Sequence, residues 1–194
     1  MAHTTITPLP SDRMEETIGV LARAYATNPL HVSAFGPSAL ESNEVFFRAG
    51  LEAMRGEKVI AMDGSRVLGV AHWVHSADCQ YSVLEKLRVM PQMVRGFGLR
   101  TSVKVVSWLS EWSHHDPSEP HLHLGPIAVE PEAQGRQIGS TLMERYCETA
   151  DGMGVTGFLE TDRRTNLNFY KRFGFDVIDT TRVLGVENYF MRRP

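Results

Sequence analysis

Ile127-Ala128-Val129-Glu130-Pro131-Glu132-Ala133-Gln134-Gly135-Arg136-Gln137-Ile138-Gly139-Ser140 is the stretch on which the reading of this chain turns. An apolar run ends at a proline-marked turn, a glycine-containing loop follows, and an amphipathic helix opens behind it. Unpaired backbone N–H groups and the positive end of the helix dipole collect at such a start, which suits it to receive phosphate. Behind it Ile138, Leu142, Tyr146 and Ala150 recur every four residues, with Gly139, Met143 and Cys147 beside them. The spacing predicts a helix over Gln134–Asp151, ended by Gly152 and Gly154. On the loop alone, a helix that simply carries Gly135 and Gly139 in its first turn reads the same way. A dinucleotide fingerprint is disfavoured because the loop lacks Gly-x-Gly-x-x-Gly, and a Walker loop is excluded for want of Gly-Lys-Ser/Thr.

The chain has 194 residues, 42% hydrophobic and 22% charged, which fits one globular domain over 1–194 with a sizeable core. A formal net charge of −3 supplies no basic field to recruit nucleic acid. Cys79 and Cys147 are too few for a disulfide framework and suit a reduced interior. Met1-Ala2-His3-Thr4-Thr5 shows no basic region followed by an apolar run, and no stretch is apolar enough to span a bilayer. A cytoplasmic protein without membrane contact is expected.

Upstream, Thr4–Pro8 reads as a strand, and Ser11 as the N-cap of a helix to Thr27 that Pro29 breaks. Asn28–Pro37 reads as an irregular loop and Ser38–Arg55 as a helix. Lys58–Met62 and Arg66–His75 flank Asp63-Gly64-Ser65, a hairpin signal. Tyr81–Met93 and Leu99–His114 read as two helices, and His114–Pro120 as a connecting loop. His121–Val129 is a strand in which Gly125-Pro126 predicts a bulge or a break in pairing, since proline cannot donate to a ladder. Thr156–Thr161 follows as a strand, Asn166–Phe173 as a short helix capped by Gly174, and Phe175–Asp179 and Leu184–Met191 as closing strands. The sum is a mixed α/β layer with helices on both faces.

Two motifs together, the loop Gln134-Gly135-Arg136-Gln137-Ile138-Gly139 and Asn166-Leu167-Asn168-Phe169-Tyr170-Lys171-Arg172-Phe173-Gly174-Phe175, resemble the GNAT superfamily of acyl-CoA N-acyltransferases. From about His121 to Pro194 the pattern is similar to the puromycin N-acetyltransferase branch; the N-terminal half matches in element order. The resemblance implies a mostly antiparallel central sheet, acetyl-CoA as co-substrate, and a primary amine of a small molecule or peptide as acceptor. It implies that Gln134, Gly135, Arg136, Gln137, Gly139 and Ser140 hold the coenzyme diphosphate. Ile127, Ala128 and Val129 would bond the pantetheine arm, with one strand N–H facing the thioester oxygen. Gln137 stands where the family usually has glycine. Its side chain adds bulk where backbone must approach the diphosphate, so crowding there would weaken coenzyme affinity.

Tyr170 stands about 100° around a helix from Phe169, which shares a buried face with Phe173, so its hydroxyl can lean toward a cleft. The resemblance makes it the acid that protonates the departing thiolate. Asn166 reads as the N-cap of that helix, and the resemblance adds a bond to the pantetheine. His121 and His123 share one strand face and suit a base acting through water, flanking the acceptor side. A His-x-His pair also chelates zinc, but no third ligand stands at a convincing spacing, so no metal is expected. Packed or solvated strand histidines remain open. Glu160, on the face of Phe158, competes for the role of base. The acceptor pocket is expected from Tyr25–Pro37 and Cys79–Arg100, with Trp73, Trp108 and Trp112 in the core. Arg163, Arg164, Lys171 and Arg172 could reach the coenzyme 3′-phosphate or form a solvated face. A homodimer is possible. A coenzyme-binding module without catalysis and an α/β interaction domain without a cofactor are the alternatives.

Overall fold

A computed structural model describes residues 4–37, 39–80 and 82–194. Ser38 and Tyr81, where two helices are expected to begin, lie outside the described residues. Among the described residues seven strands form one sheet: β1 (Thr5–Pro8), β2 (Glu57–Asp63), β3 (Arg66–His75), β4 (His121–Val129), β5 (Thr156–Thr161), β6 (Asp176–Val183) and β7 (Val186–Arg193). Their order is β1-β2-β3-β4-β5-β7-β6. Each neighbouring pair is antiparallel except β4 with β5. The mixed, mostly antiparallel sheet expected from the sequence is therefore present.

Among the described residues seven α-helices flank the sheet: α1 (Met14–Ala24), α2 (Pro29–Phe35), α3 (Leu40–Ala53), α4 (Ser76–Cys79), α5 (Val83–Ser113), α6 (Ile138–Met153) and α7 (Leu167–Lys171). On one face α6 buries the predicted stripe of Ile138, Leu142, Tyr146 and Ala150 against Trp73, Leu122, Leu124 and Leu159. On the other, α1 and α3 set Ile18, Leu21, Phe47 and Leu51 on Ile60 and Val70. Helix α2 and the second half of α5 extend that side, with Leu30 beside Trp108. Burying a side chain of this size contributes about 1.5–3 kcal/mol, so these stripes fix which helix covers which face.

Several elements differ from expectation. Ser11 caps nothing: it lies in a 3₁₀ turn, and α1 starts at Met14 and ends at Ala24. Asn28–Pro37 is no loop. Asn28 caps α2, accepting from the amides of Leu30 and His31, and Pro29 occupies the first helical position. Proline is tolerated there because that N–H has no helical partner. The two expected helices of the middle region are joined across a kink at Gly98 (φ 78°), with Pro91 inside the first arm. Helix α6 begins at Ile138, four residues later than expected, behind a 3₁₀ turn at Pro131–Ala133. Leu184 is not in a strand; with Gly185 it makes the β6–β7 turn, at φ of 50° and 82°. The Gly64-Ser65 hairpin between β2 and β3 is as expected. Among the described residues no helix is long and apolar enough to cross a membrane. Both cysteines are free.

Candidate active site

Strands β4 and β5 pair from His121 opposite Thr156 to Leu124 opposite Leu159, and no farther. On its other edge β4 skips: Trp73 faces Leu124 and Ala71 faces Ile127, so Gly125 and Pro126 stand against His72 alone. This is the bulge the dipeptide predicts. Gly125 is needed for close approach, because a Cβ there would lie 2.5 Å from the His72 Nδ1. Past the bulge the two parallel strands part. A cleft of about 630 Å³ opens between them, lined by Pro126, Ile127 and Val129 on one side and Glu160, Thr161 and Asp162 on the other.

The loop from Gln134 to Ser140 closes one end of this cleft. Gln134, Gly135, Gln137, Gly139 and Ser140 all line it. Gly135 and Gln137 both take left-handed backbone, with φ of 80° and 65°. Glycine adopts that conformation freely, whereas a glutamine there costs roughly 1–2 kcal/mol. The Gln137 side chain is exposed. No side chain caps the first turn of α6, so its amides are left for a ligand. Arg136 departs from its expected place: it does not line the cleft, and its guanidinium donates to Asp63 at 3.0 Å. The base of the loop is held by Arg23, whose Nε and Nη2 donate to the Glu130 carboxylate at 2.9 and 2.7 Å.

Tyr170 lines the cleft yet is only 6% exposed, more deeply buried than Phe169 or Phe173, the reverse of the order expected. Burial, then the nearby Tyr25 hydroxyl and the carboxylates of Asp162 and Glu160, push its pKa up, so the hydroxyl keeps its proton. Asn166 makes no capping bond to α7, against expectation, and its side chain lines the cleft. Glu160 also lines the cleft, and its Oε2 lies 2.9 Å from His123 Nε2. Neither His121 nor His123 reaches the cleft lining. They lie where β4 and β5 are still paired, both against Phe158. Burial disfavours charge on His123, but Glu160, Cys79 and Asp116 together hold its pKa well above the usual value; burial lowers that of His121.

Tyr25, Asn28, Leu30 and His31, from the segment expected to form the acceptor pocket, line the cleft, and Asp162 joins them without a sequence signal of its own. The Tyr25 hydroxyl donates to the Ile127 carbonyl at 3.3 Å, bracing the parted strand. Asp162 accepts from the Asn28 side chain at 2.7 Å and the Leu30 amide at 2.6 Å, tying α2 to the end of β5. Only the Asn28-Pro29 dipeptide could have announced this corner. The wall opposite the loop is aromatic: Tyr25, His31, Phe46, Phe47, Trp108 and Trp112. Among the described residues none of 79–100 lines the cleft; Trp108 and Trp112, on the later half of α5, do, while Trp73 and Trp108 are also buried in the core as expected. Of the basic cluster, Arg163 and Arg172 line the cleft. Burial lowers the His31 pKa to about 4, so this wall is uncharged at neutral pH.

Residues 59–175 match the acetyltransferase (GNAT) family. Solved structures with the same fold include a "histone acetyltransferase HPA2 and related acetyltransferase" of Corynebacterium glutamicum, 21% identical, covering 100% of this chain and 97% of that one at a TM-score of 0.73. A polyamine N-acetyltransferase of Drosophila melanogaster is 14% identical over 98% of each chain, with a TM-score of 0.68. A Brucella melitensis GNAT acetyltransferase, solved in complex with acetyl-CoA, is 16% identical over 99% of this chain and 88% of its own, with a TM-score of 0.55. The chain belongs to the GNAT acetyltransferase family.

Proposed function

We propose that this protein moves an acetyl group from acetyl-CoA to a primary amine of a small molecule or peptide, by direct attack in the cleft between β4 and β5. One observation carries the reading: the parted strands open directly onto the uncapped start of α6. The edge of Ile127-Ala128-Val129 that faces β5 offers backbone groups to an extended arm, and the amides from Gly135 to Ser140 offer charge complementarity to a diphosphate. An arm laid between them brings its thioester to the bulge, where a strand N–H stabilises the oxyanion.

Glu160 takes the ammonium proton, since it alone of the candidate bases lines the cleft; His123 acts through it, fixing the carboxylate by the bond at 2.9 Å. Tyr170, held protonated by burial, returns a proton to the leaving sulfur. Asn166 is free to bond the arm. The aromatic wall beside Glu160 and Asp162 suits an amine that enters as a cation and carries an apolar body. The Leu159-Glu160-Thr161 strand end followed by the Asn166 helix supports a place near the puromycin N-acetyltransferase branch. Thiol release from acetyl-CoA, followed across a panel of aromatic, polyamine and peptide amines, tests the reading. Turnover with an aromatic or alkyl amine is expected; coenzyme binding with no release for any amine would leave a binding module instead.

A further inference from the structure

Behind Glu160 two groups of donors overlap at His123: Cys79 with His121 and His123, and Asp116 with His123 and Glu160. Cys79 ends α4, Asp116 lies in the loop after α5, and His121 and His123 share one face of β4. Cys79 Sγ and one nitrogen from each histidine lie within 4.8 Å of one another. His123 Nδ1 stands 3.6 Å from Asp116 Oδ1, and Cys79 Sγ stands 3.7 Å from Asp116 Oδ2.

The outward nitrogen of each ring is already occupied by an oxygen that can only accept. His121 Nδ1 donates to the Glu119 carbonyl at 2.9 Å, and His123 Nε2 to the Glu160 carboxylate at 2.9 Å. Each ring therefore carries a proton on that side, so the neutral form of each has its lone pair on His121 Nε2 or His123 Nδ1. A metal there would replace the second proton that Glu160 and Asp116 favour on His123. Both of these atoms, and Asp116 Oδ1, are buried without a hydrogen-bond partner. His121 is only 1% exposed. Buried polar atoms rarely stay unpaired, and a histidine with one nitrogen fixed by an oxygen and the other aimed at a thiol and a carboxylate is arranged as a metal ligand. A proton placed on His123 would satisfy Asp116 but would leave His121 Nε2 bare.

We propose that Cys79, Asp116, His121 and His123 bind one transition-metal dication, with zinc as the cation their S, O and N donors suit best. The sequence shows only the His-x-His pair; the other two ligands come from segments 5 and 42 residues upstream of His121. Zinc bonds of about 2.0–2.3 Å call for Cys79, His121 and His123 to close by roughly an ångström, through movement of the short α4, and for the Asp116 loop to swing toward them from beside His123 and Glu160. Four protein ligands leave no open position, so the ion would clamp α4 and the Asp116 loop onto β4 and take no part in acetyl transfer. Binding would displace the thiol proton.

Chelator-stripped full-length protein, titrated with cobalt(II) and then zinc(II), is the test. Expected are saturation at one ion per chain, the visible bands of tetrahedral cobalt with a thiolate charge-transfer band, their loss on adding zinc, and a zinc-dependent rise in melting temperature. Glu160→Gln weakens affinity about 10- to 100-fold as an outer partner, Cys79→Ser and His121→Gln by more, and Cys147→Ser leaves it unchanged. No saturable cobalt or zinc binding by the folded wild-type protein would overturn the proposal, and so would binding with no thiolate band. Because neither readout uses coenzyme or amine, failure here leaves the acetyl-transfer reading untouched, and the reverse holds.

Discussion

The strand pair β4–β5 is two structures in one. From His121 to Leu124 it is closed, with four ladder positions made and a tyrosine clasp behind them: Tyr146 donates to the Leu122 carbonyl at 2.5 Å and accepts from the Phe158 amide at 3.2 Å. From Gly125 onward it is open, with the ladder unmade and the freed backbone facing a cleft. The same two strands thus give rigidity at one end and unsatisfied hydrogen-bonding capacity at the other. Sheet edges inside a protein are normally paired or covered. An unpaired one beside an uncapped helix start is a place for a ligand that can hydrogen-bond like a strand. The boundary falls where Gly125-Pro126 inserts its extra residue, so a dipeptide legible in the sequence decides where the closed half ends.

This contrast can be broken from either side. The largest effect is expected in the open half: Tyr170→Phe should lower kcat about 100- to 10,000-fold with acetyl-CoA affinity retained, measured by steady-state thiol release and calorimetry. An unchanged kcat would remove the proton-donor role. In the closed half, Tyr146→Phe leaves the Leu122 carbonyl and the Phe158 amide without their partner. Urea denaturation should show a loss of about 1–3 kcal/mol, with the KM for coenzyme little changed. Equal damage to coenzyme binding would mean that the halves are not independent.

The aromatic wall gives a pH test. His31 is 3% exposed, hydrogen-bonded at 2.8 Å to Asn43 and surrounded by Tyr25, Phe35, Phe46, Phe47 and Trp108; the Arg163 guanidinium adds to the resistance against its charging. Its pKa is depressed from 6.5 to about 4, so the unfolded chain binds the proton first as pH falls. Stability from this ring is complete above pH 6.5, falls between 6.5 and about 4, and is flat below. The slope in that window is at most about 1.4 kcal/mol per pH unit relative to His31→Asn, measured by denaturation at each pH. The smallest effect is at the loop. Gln137→Gly relieves left-handed strain and should stabilise by up to about 1 kcal/mol while keeping coenzyme affinity; a loss of affinity would make the glutamine side chain a ligand contact.

What the sequence made legible is local. The four-residue stripe of α6, the Gly64-Ser65 turn and the Gly125-Pro126 bulge each follow from neighbours along the chain. Misreadings came where a local signal has two meanings: Pro29 ends one helix but opens another once Asn28 caps it, and Leu184-Gly185 turns the chain without a usual turn residue at its first position. Distant contacts left no trace. Asn28 meets Asp162, Tyr25 meets Ile127, and Cys79 meets His121 and His123 only because the sheet order brings them together. The pattern singles out Tyr170, but its depth comes from packing into the core cluster with Phe175, which helical spacing does not reveal.

Hydrogen exchange followed by mass spectrometry, with and without saturating acetyl-CoA, probes the open half directly. Slowed exchange concentrated at the amides of Ile127 to Val129 and Gly135 to Ser140, with the already paired His121 to Leu124 unchanged, is the expected result. No protection at either segment, or protection confined to another surface, would contradict a coenzyme arm seated between the parted strands.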